Sequence, residues 1–196
     1  MKLKIVQAGD PILRRTCRPL SADEIRSASL RHLIELMRDT MRDAPGVGLA
    51  APQIGESLQL AVIEDRAEYI QGLAKDEVAE RKRAAIDFHV IINPRISLSS
   101  DSAAEFFEGC LSLAGFAGLI RRSLKLTVES LNENAEPTTI QAEGWYARIL
   151  QHEIDHLNGT LYIDRMATRS FATTENLGRF WQGQSIEEIR AALGLQ

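Results

Sequence analysis

The chain is 196 residues long, 44% apolar and 26% charged, with a formal net charge of −4. That length suits one domain with a substantial core. The acidic balance argues against nucleic-acid binding driven by phosphate attraction, and no apolar run is long enough to span a bilayer.

Met1 to Val6 leads straight into Gly9-Asp10-Pro11 without a signal-peptide core, so a cytoplasmic setting is expected. Residues 1–20, with Pro11, Pro19 and several basic side chains, read as an extended arm with turns. The only cysteines are Cys17 and Cys110. A chain this size needs no disulfide between them, and a metal or catalytic role for one is the sharper alternative. Cys17, between Thr16 and Arg18, reads as structural.

From Ser21 to Arg42 the pattern predicts a helix, with Ile25, Leu30, Leu33, Ile34, Met37 and Met41 near one face. Ser21-Ala22-Asp23-Glu24 resembles a capping box at its start. His32 falls on its surface. Gly46-Val47-Gly48-Leu49-Ala50-Ala51-Pro52-Gln53-Ile54-Gly55 is a loop of small residues that let backbone approach something closely, with Gln53 its one polar side chain. It lacks the Gly-Lys-Ser/Thr ending of a phosphate loop. A strand follows over Leu58–Glu64.

Asp65 to Asp87 is charged and helix-tolerant, which predicts a solvated surface insertion. Phe88 to Pro94 reads as a strand closed by its proline, with His89 a satisfied structural histidine. Ser99 to Glu105 is a polar turn. Alternation marks Ser123–Ser130 as a half-buried strand, and Thr138–Glu143 returns beside it after a turn at Asn132–Asn134. Leu161–Ile163 suits a short strand or an extended segment. Ser185–Leu193 suits a closing helix with Ile186, Ile189 and Ala192 inward. With no internal repeat or linker, residues 1–196 are expected to form a single catalytic domain, with a charged insertion near 65–87 and a short C-terminal tail over 167–196.

The chemistry concentrates in His152-Glu153-Ile154-Asp155-His156, within a helix expected between Gly144 and Asn158-Gly159. Residues four apart stack on one helical face, so His152 and His156 direct two imidazoles to one point, with Glu153 beside them. Two nitrogen ligands and an adjacent carboxylate are the parts of a hydrolytic metal site, although two partly buried histidines on a core helix would read the same way. Cys110, in the glycine-bounded turn Glu108-Gly109-Cys110-Leu111-Ser112, offers the third ligand. One thiolate and two imidazoles leave a tetrahedral ion an open position for water.

Three stretches occur in order: Gly46-Val47-Gly48-Leu49-Ala50-Ala51-Pro52-Gln53, Glu108-Gly109-Cys110-Leu111-Ser112 and His152-Glu153-Ile154-Asp155-His156. Together they resemble the signature of the peptide deformylases, which remove the formyl group from the N-terminal methionine of new polypeptides. The likeness runs from about Gly9 to Met166. It implies that Cys110, His152 and His156 hold a divalent metal and that Glu153 is the acid/base. It implies also that the Gln53 amide and the Leu111 backbone N–H hold the formyl oxygen. Fe2+ is the ion the family suggests, with Zn2+, Ni2+ or Co2+ able to take the site.

The resemblance implies N-formylmethionyl peptides as substrates, with the ribosome near the nascent-chain exit as a partner, and neither nucleic acid nor membrane. It equally fits a bacterial-type cytoplasm or an organelle. Backbone from Gly46 to Ala51, including Gly48, and from Gly109 to Leu111 would wall off acyl groups larger than formyl. Val47, Phe106, Trp145 and Ile149 are candidates to line a methionine pocket. Glu108 is expected to pair with Arg122.

Leu113-Ala114-Gly115-Phe116-Ala117 departs from the family pattern, which commonly continues with Ile/Val-Pro and in some members carries an arginine where Ala117 stands. The tail also lacks the long basic helix that some members use at the ribosome. A zinc endopeptidase with Glu175 as third ligand, and a non-catalytic peptide binder, are the competing readings. The fold class implied is α+β, antiparallel β-sheets packed around the helix bearing the HExxH motif, with the first helix outside.

Overall fold

A computed structural model describes residues 2–99 and 102–195. The N-terminal arm is extended, apart from a 3-10 turn at Pro11–Arg14 capped by Asp10. The helix expected over 21–42 is two helices. Helix α1 (Ala22–Ile25) carries the Ser21/Glu24 capping box. Helix α2 (Ala28–Asp43) starts afresh because Ser27 is extended and its hydroxyl accepts from the Leu30 N–H at 3.2 Å, making a second N-cap. The predicted apolar face is buried from Ile25 to Met41, with Leu33 half-buried, and His32 is exposed.

Strand β1 (Gly48–Ala50) and a 3-10 turn at Ala51–Ile54 replace the expected loop. Strand β2 (Leu60–Asp65) is buried throughout. The charged segment then forms α3 (Ala67–Gln71) and α4 (Lys75–Glu80). It is less solvated than its composition suggests. Asp65 is fully buried and accepts twice from Arg83, at 2.7 and 2.9 Å.

Strand β3 (Ile86–Leu98) does not stop at Pro94. The proline sits in a register shift between the Ile92–Leu131 and Arg95–Glu129 pairs, where no ladder N–H is needed. Asn93 there adopts φ +52°, and its amide exchanges hydrogen bonds with the Leu20 backbone at 2.8 and 2.9 Å. His89 is satisfied, bonded to Asp87 O and Tyr146 OH, each at 2.9 Å. Of the polar turn expected at Ser99–Glu105, residues 100 and 101 lie outside the described residues, and the chain from Ala103 onward is already strand.

The structure adds β4 (Ala103–Cys110) and β5 (Leu113–Ser123), a hairpin that the sequence pattern did not reveal. Strands β6 (Lys125–Leu131) and β7 (Pro137–Glu143) form the expected antiparallel pair, and α5 (Gly144–Leu157) follows. Leu161–Ile163 is not a strand, since the chain takes a 3-10 turn at Tyr162–Asp164. The tail is well built: β8 (Ala172–Thr173), α6 (Thr174–Phe180) and α7 (Ile186–Leu193). Ile189 is buried as expected, but Ala192 is exposed, because the short helix α7 turns only a narrow stripe inward.

Two antiparallel sheets result, ordered β1-β2-β3-β6-β7 and β4-β5-β8. Both faces of the larger sheet are covered. Ala61, Ile63, Ile91, Leu126 and Val128 pack with Ala147, Ile149, Leu150 and Ile154 of α5. The alternate residues Leu60, Val62, Val90 and Ile92 pack with Leu30, Ile34, Met37 and Met41 of α2. This double burial explains why β2 is continuously apolar from Leu60 to Ile63 rather than alternating. Cys17 belongs to the α5 side of the core, and both cysteines are free. Among the described residues no helix is long and apolar enough to cross a membrane.

Candidate metal centre

Helix α5 places His152 and His156 one turn apart, with ring centroids 5.0 Å from each other. Its start depends on the charged segment. Gly144 has φ +62°, and a Cβ there would lie 2.6 Å from Arg81 O, while that carbonyl accepts the Trp145 N–H at 2.8 Å. The Asn158 cap and Gly159, at φ +72°, end the helix as expected.

Cys110 is the last residue of β4 rather than part of a free loop. It pairs with Leu113 across a turn made by Leu111 and Ser112. Its Sγ lies 3.3 Å from His156 Nε2, and the ligand atoms of Cys110, His152 and His156 all fall within 4.8 Å of one another. Gln53, held in the 3-10 turn after β1, points its amide nitrogen at the same sulfur, 3.5 Å away, and at Ser112 Oγ, 3.3 Å away. Its carbonyl oxygen accepts the Ala50 N–H at 2.8 Å, which fixes the amide's orientation.

Glu153 is 4% exposed, and one of its carboxylate oxygens has no hydrogen-bond partner among the described residues. Burial pushes its carboxyl up to about 7. Gly48 faces it so closely that a Cβ would sit 2.2 Å from Glu153 Oε1. The small-residue stretch thus serves the closeness of β1 to α5.

Glu108 accepts from Arg122 through two bonds of 2.9 Å, from Arg148 at 2.6 Å, and pairs with His152 Nδ1 at 3.0 Å. Burial alone would raise its carboxyl. The Arg122 and His152 partners outweigh that and hold it far below the usual carboxylate range. Asp155 extends the network, accepting from Arg122 at 2.5 Å and from Arg165 at 2.7 and 2.8 Å. A carboxylate on the far nitrogen of an imidazole fixes its tautomer and ring orientation. With Nδ1 so engaged, His152 has Nε2 left to turn toward the sulfur. Arg148 went unnoticed in the sequence, although it precedes His152 by one helical turn and so shares its face.

A cavity of about 610 Å³ opens over these groups. Val47, Gly48, Gly109, Leu111, Trp145 and Ile149 line it with Cys110, His152 and Glu153, as expected. Phe106 does not. It is buried, packed edge-on to Trp145 at 6.2 Å, and its strand neighbour Phe107 lines the cavity instead, as alternation along β4 requires. Glu175 is exposed on α6 and stands apart from the thiol–imidazole cluster. Ala117, at a departure from the family pattern, is buried between Gly109 of β4 and Ala172 of β8.

A thiol from a strand end, two imidazoles from one helix and a buried carboxylate beside them define a protein built around a candidate HExxH metal centre. The polypeptide deformylase family model matches residues 2–172. The chloroplastic peptide deformylase 1A of Solanum lycopersicum is 49% identical over 88% of this chain, and the chain spans 62% of that relative's length. Peptide deformylase 1 of Bifidobacterium longum is 46% identical over 91% of this chain and 79% of its own. The Met-Ala-Ser-bound class I type b peptide deformylase of Acinetobacter baumannii superposes with a TM-score of 0.75 at 31% identity. It covers 85% of this chain and 99% of that one.

The chain belongs to the polypeptide deformylase family, a metal-dependent family.

Proposed function

We propose that this protein is a metal-dependent hydrolase that removes the formyl group from the N-terminal methionine of new polypeptides. The observation that carries the reading is the meeting of Cys110, His152 and His156 within 4.8 Å beside the buried Glu153. The donor set fits an ion. A thiolate and two imidazoles by themselves suit Zn2+; Fe2+ is the ion that membership of the family favours, with Ni2+ or Co2+ also able to take the site. Glu108 holds His152 in the tautomer that leaves Nε2 for coordination. When bound, such an ion acidifies water toward neutral pH and polarises the formyl carbonyl.

The remaining steps belong to the chain's own groups. Glu153 takes the proton of the attacking water and delivers it to the departing amine, a transfer worth ~10²–10⁴-fold. The Gln53 Nε2–H and the Leu111 N–H donate to the formyl oxygen as charge builds there, each on the order of 3 kcal/mol. The backbone of Gly46–Ala51 and Gly109–Leu111 leaves space for hydrogen on the reacting carbon and crowds larger acyl groups. Val47, Trp145 and Ile149 offer the methionine side chain an apolar wall. Formate and a free methionyl amine leave.

Sheets arranged around the HExxH-bearing helix, one catalytic domain over 1–196, action in the cytoplasm and contact with the ribosome near the nascent-chain exit complete the reading. The chloroplastic relative extends the setting to organelles. Protein purified without oxygen and loaded with Fe2+ should release formate from formyl-Met-Ala-Ser. Absence of formate overturns the proposal. Cleavage of internal peptide bonds instead would point to an endopeptidase.

A further inference from the structure

Phe116 is 39% exposed and Phe171 43% exposed, and their rings stack 5.1 Å apart at an interplanar angle of 7°. Two exposed aromatic rings laid flat on each other have no role in the core. Phe116 lines the catalytic cavity together with Ala114 and Gly115, and Phe171, outside that lining, stacks on its ring.

The β4–β5 register explains this position. Gly109 pairs with Ala117 but Cys110 pairs with Leu113, so Ala114, Gly115 and Phe116 bow out of the ladder, Gly115 with φ +82°. The bow is held at both ends. Gln7 donates to Leu111 O at 3.0 Å and accepts the Ala114 N–H at 3.4 Å. On the other side β8 pairs Thr173 with Phe116, while Ser170 Oγ accepts the Leu119 N–H at 2.7 Å. The ring pair is therefore a fixed surface joined to the cavity, made by the hairpin and the tail together.

We infer that the Phe116–Phe171 stack is a subsite for an apolar, preferentially aromatic, side chain two or three residues downstream of the formylated methionine. The inference rests on the deformylase reading and names a substrate preference within it. An extended peptide advances about 3.3 Å per residue. A chain with its formyl carbon beside Cys110 therefore passes the Gly109–Ala117 pair and reaches Phe116 within a few residues. The ring faces are apolar and already ordered, so a partner ring gains contact without ordering the rim.

The test uses the Fe2+-loaded full chain with formyl-Met-Ala-Phe and formyl-Met-Ala-Ser, and the same pair lengthened by one alanine before the variable residue. We expect kcat/KM to favour phenylalanine roughly three- to tenfold, through KM, in at least one pair. Phe116→Ser and Phe171→Ser should each bring the aromatic peptide to the serine peptide's KM. Phe180→Ser, an exposed ring elsewhere, should leave the preference intact. Formate release with no aromatic preference in the unaltered protein, or a preference that survives both substitutions, overturns the inference alone. No formate from any formyl-methionyl peptide overturns the deformylase reading and this inference together.

Discussion

Gly48 and Glu153 touch in a way only glycine permits: a Cβ at position 48 would fall 2.2 Å from Glu153 Oε1 and 2.8 Å from its Cγ. The backbone of β1 thus forms one wall against the carboxylate of α5. Gly48→Ala should displace Glu153 while leaving Cys110, His152 and His156 in place. We expect kcat to fall by about 10²-fold or more with bound metal unchanged, as metal analysis and formate assay on one preparation would show. Normal turnover in that variant would refute the assignment.

Glu153→Gln keeps the shape of the side chain and removes its capacity to accept a proton. Turnover should drop by about 10²–10⁴-fold. Peptide binding, read by calorimetry with the product Met-Ala-Ser, should stay within a few-fold of the unaltered protein.

Glu108 is the acceptor for Arg122, Arg148 and His152 at once. Glu108→Gln leaves two buried guanidiniums short of a counter-charge, and losing one partner of such a network costs about 3–5 kcal/mol. The His152 ring also loses its orienting carboxylate, so metal affinity should fall about 10–100-fold. Denaturant unfolding and competition with a chelator measure the two effects separately.

Arg42 donates two 2.7 Å bonds to Glu64, and these hydrogen bonds hold the Glu64 carboxyl below its ordinary value despite partial burial. The unfolded chain would titrate this group near 4.3. A carboxyl depressed on folding contributes stability that is fully present above the unfolded value and fades as pH falls through the folded one. The stability gap between the native chain and Glu64→Gln, about 1 kcal/mol at pH 7 given the half-exposed arginine, should therefore close as pH drops below about 4. A gap that widens in acid would contradict the sign.

Asp65 and Arg83 tie the charged segment to the cavity, since Arg83 also lies over the Trp145 ring at 5.3 Å and Arg81 at 4.7 Å. Arg83→Met strands a fully buried carboxylate and loosens Trp145. Unfolding should come several degrees earlier, and KM for formyl-methionyl peptides should rise more than kcat falls.

Much of this was legible in the sequence because local chemistry dictates it. The HExxH spacing, the Ser21 capping box and the Asn158-Gly159 stop depend on neighbours within one turn, and all stand in the structure. The β4–β5 hairpin escaped notice because Ala114-Gly115-Phe116 bow out and break its alternation. Pro94 misled for a related reason, since the register shift that tolerates it is set by the partner strand. Phe106 and Phe107 are equally apolar, and only tertiary packing separates them: Phe106 is buried against Trp145, which leaves Phe107 in the cavity lining with Gly109. Gln53, Cys110, the two histidines and the Glu108–Arg122 pair are expected from the sequence, but that Arg148 and His152 also converge on Glu108 depends on contacts 40 and 44 residues apart, which no local pattern reveals.

The separations within that hub bear on how the protein matures. Glu108 meets Arg122 across 14 residues of hairpin, but Arg148 and His152 only across 40 and 44. Closing the longer loops requires more ordered chain before any contact rewards it. The hairpin pair can form while translation is still under way, whereas the imidazole is locked only once the last turn of α5 has emerged and docked. A protein proposed to act on other nascent chains would thus acquire its own competence after its hairpin has formed rather than with it.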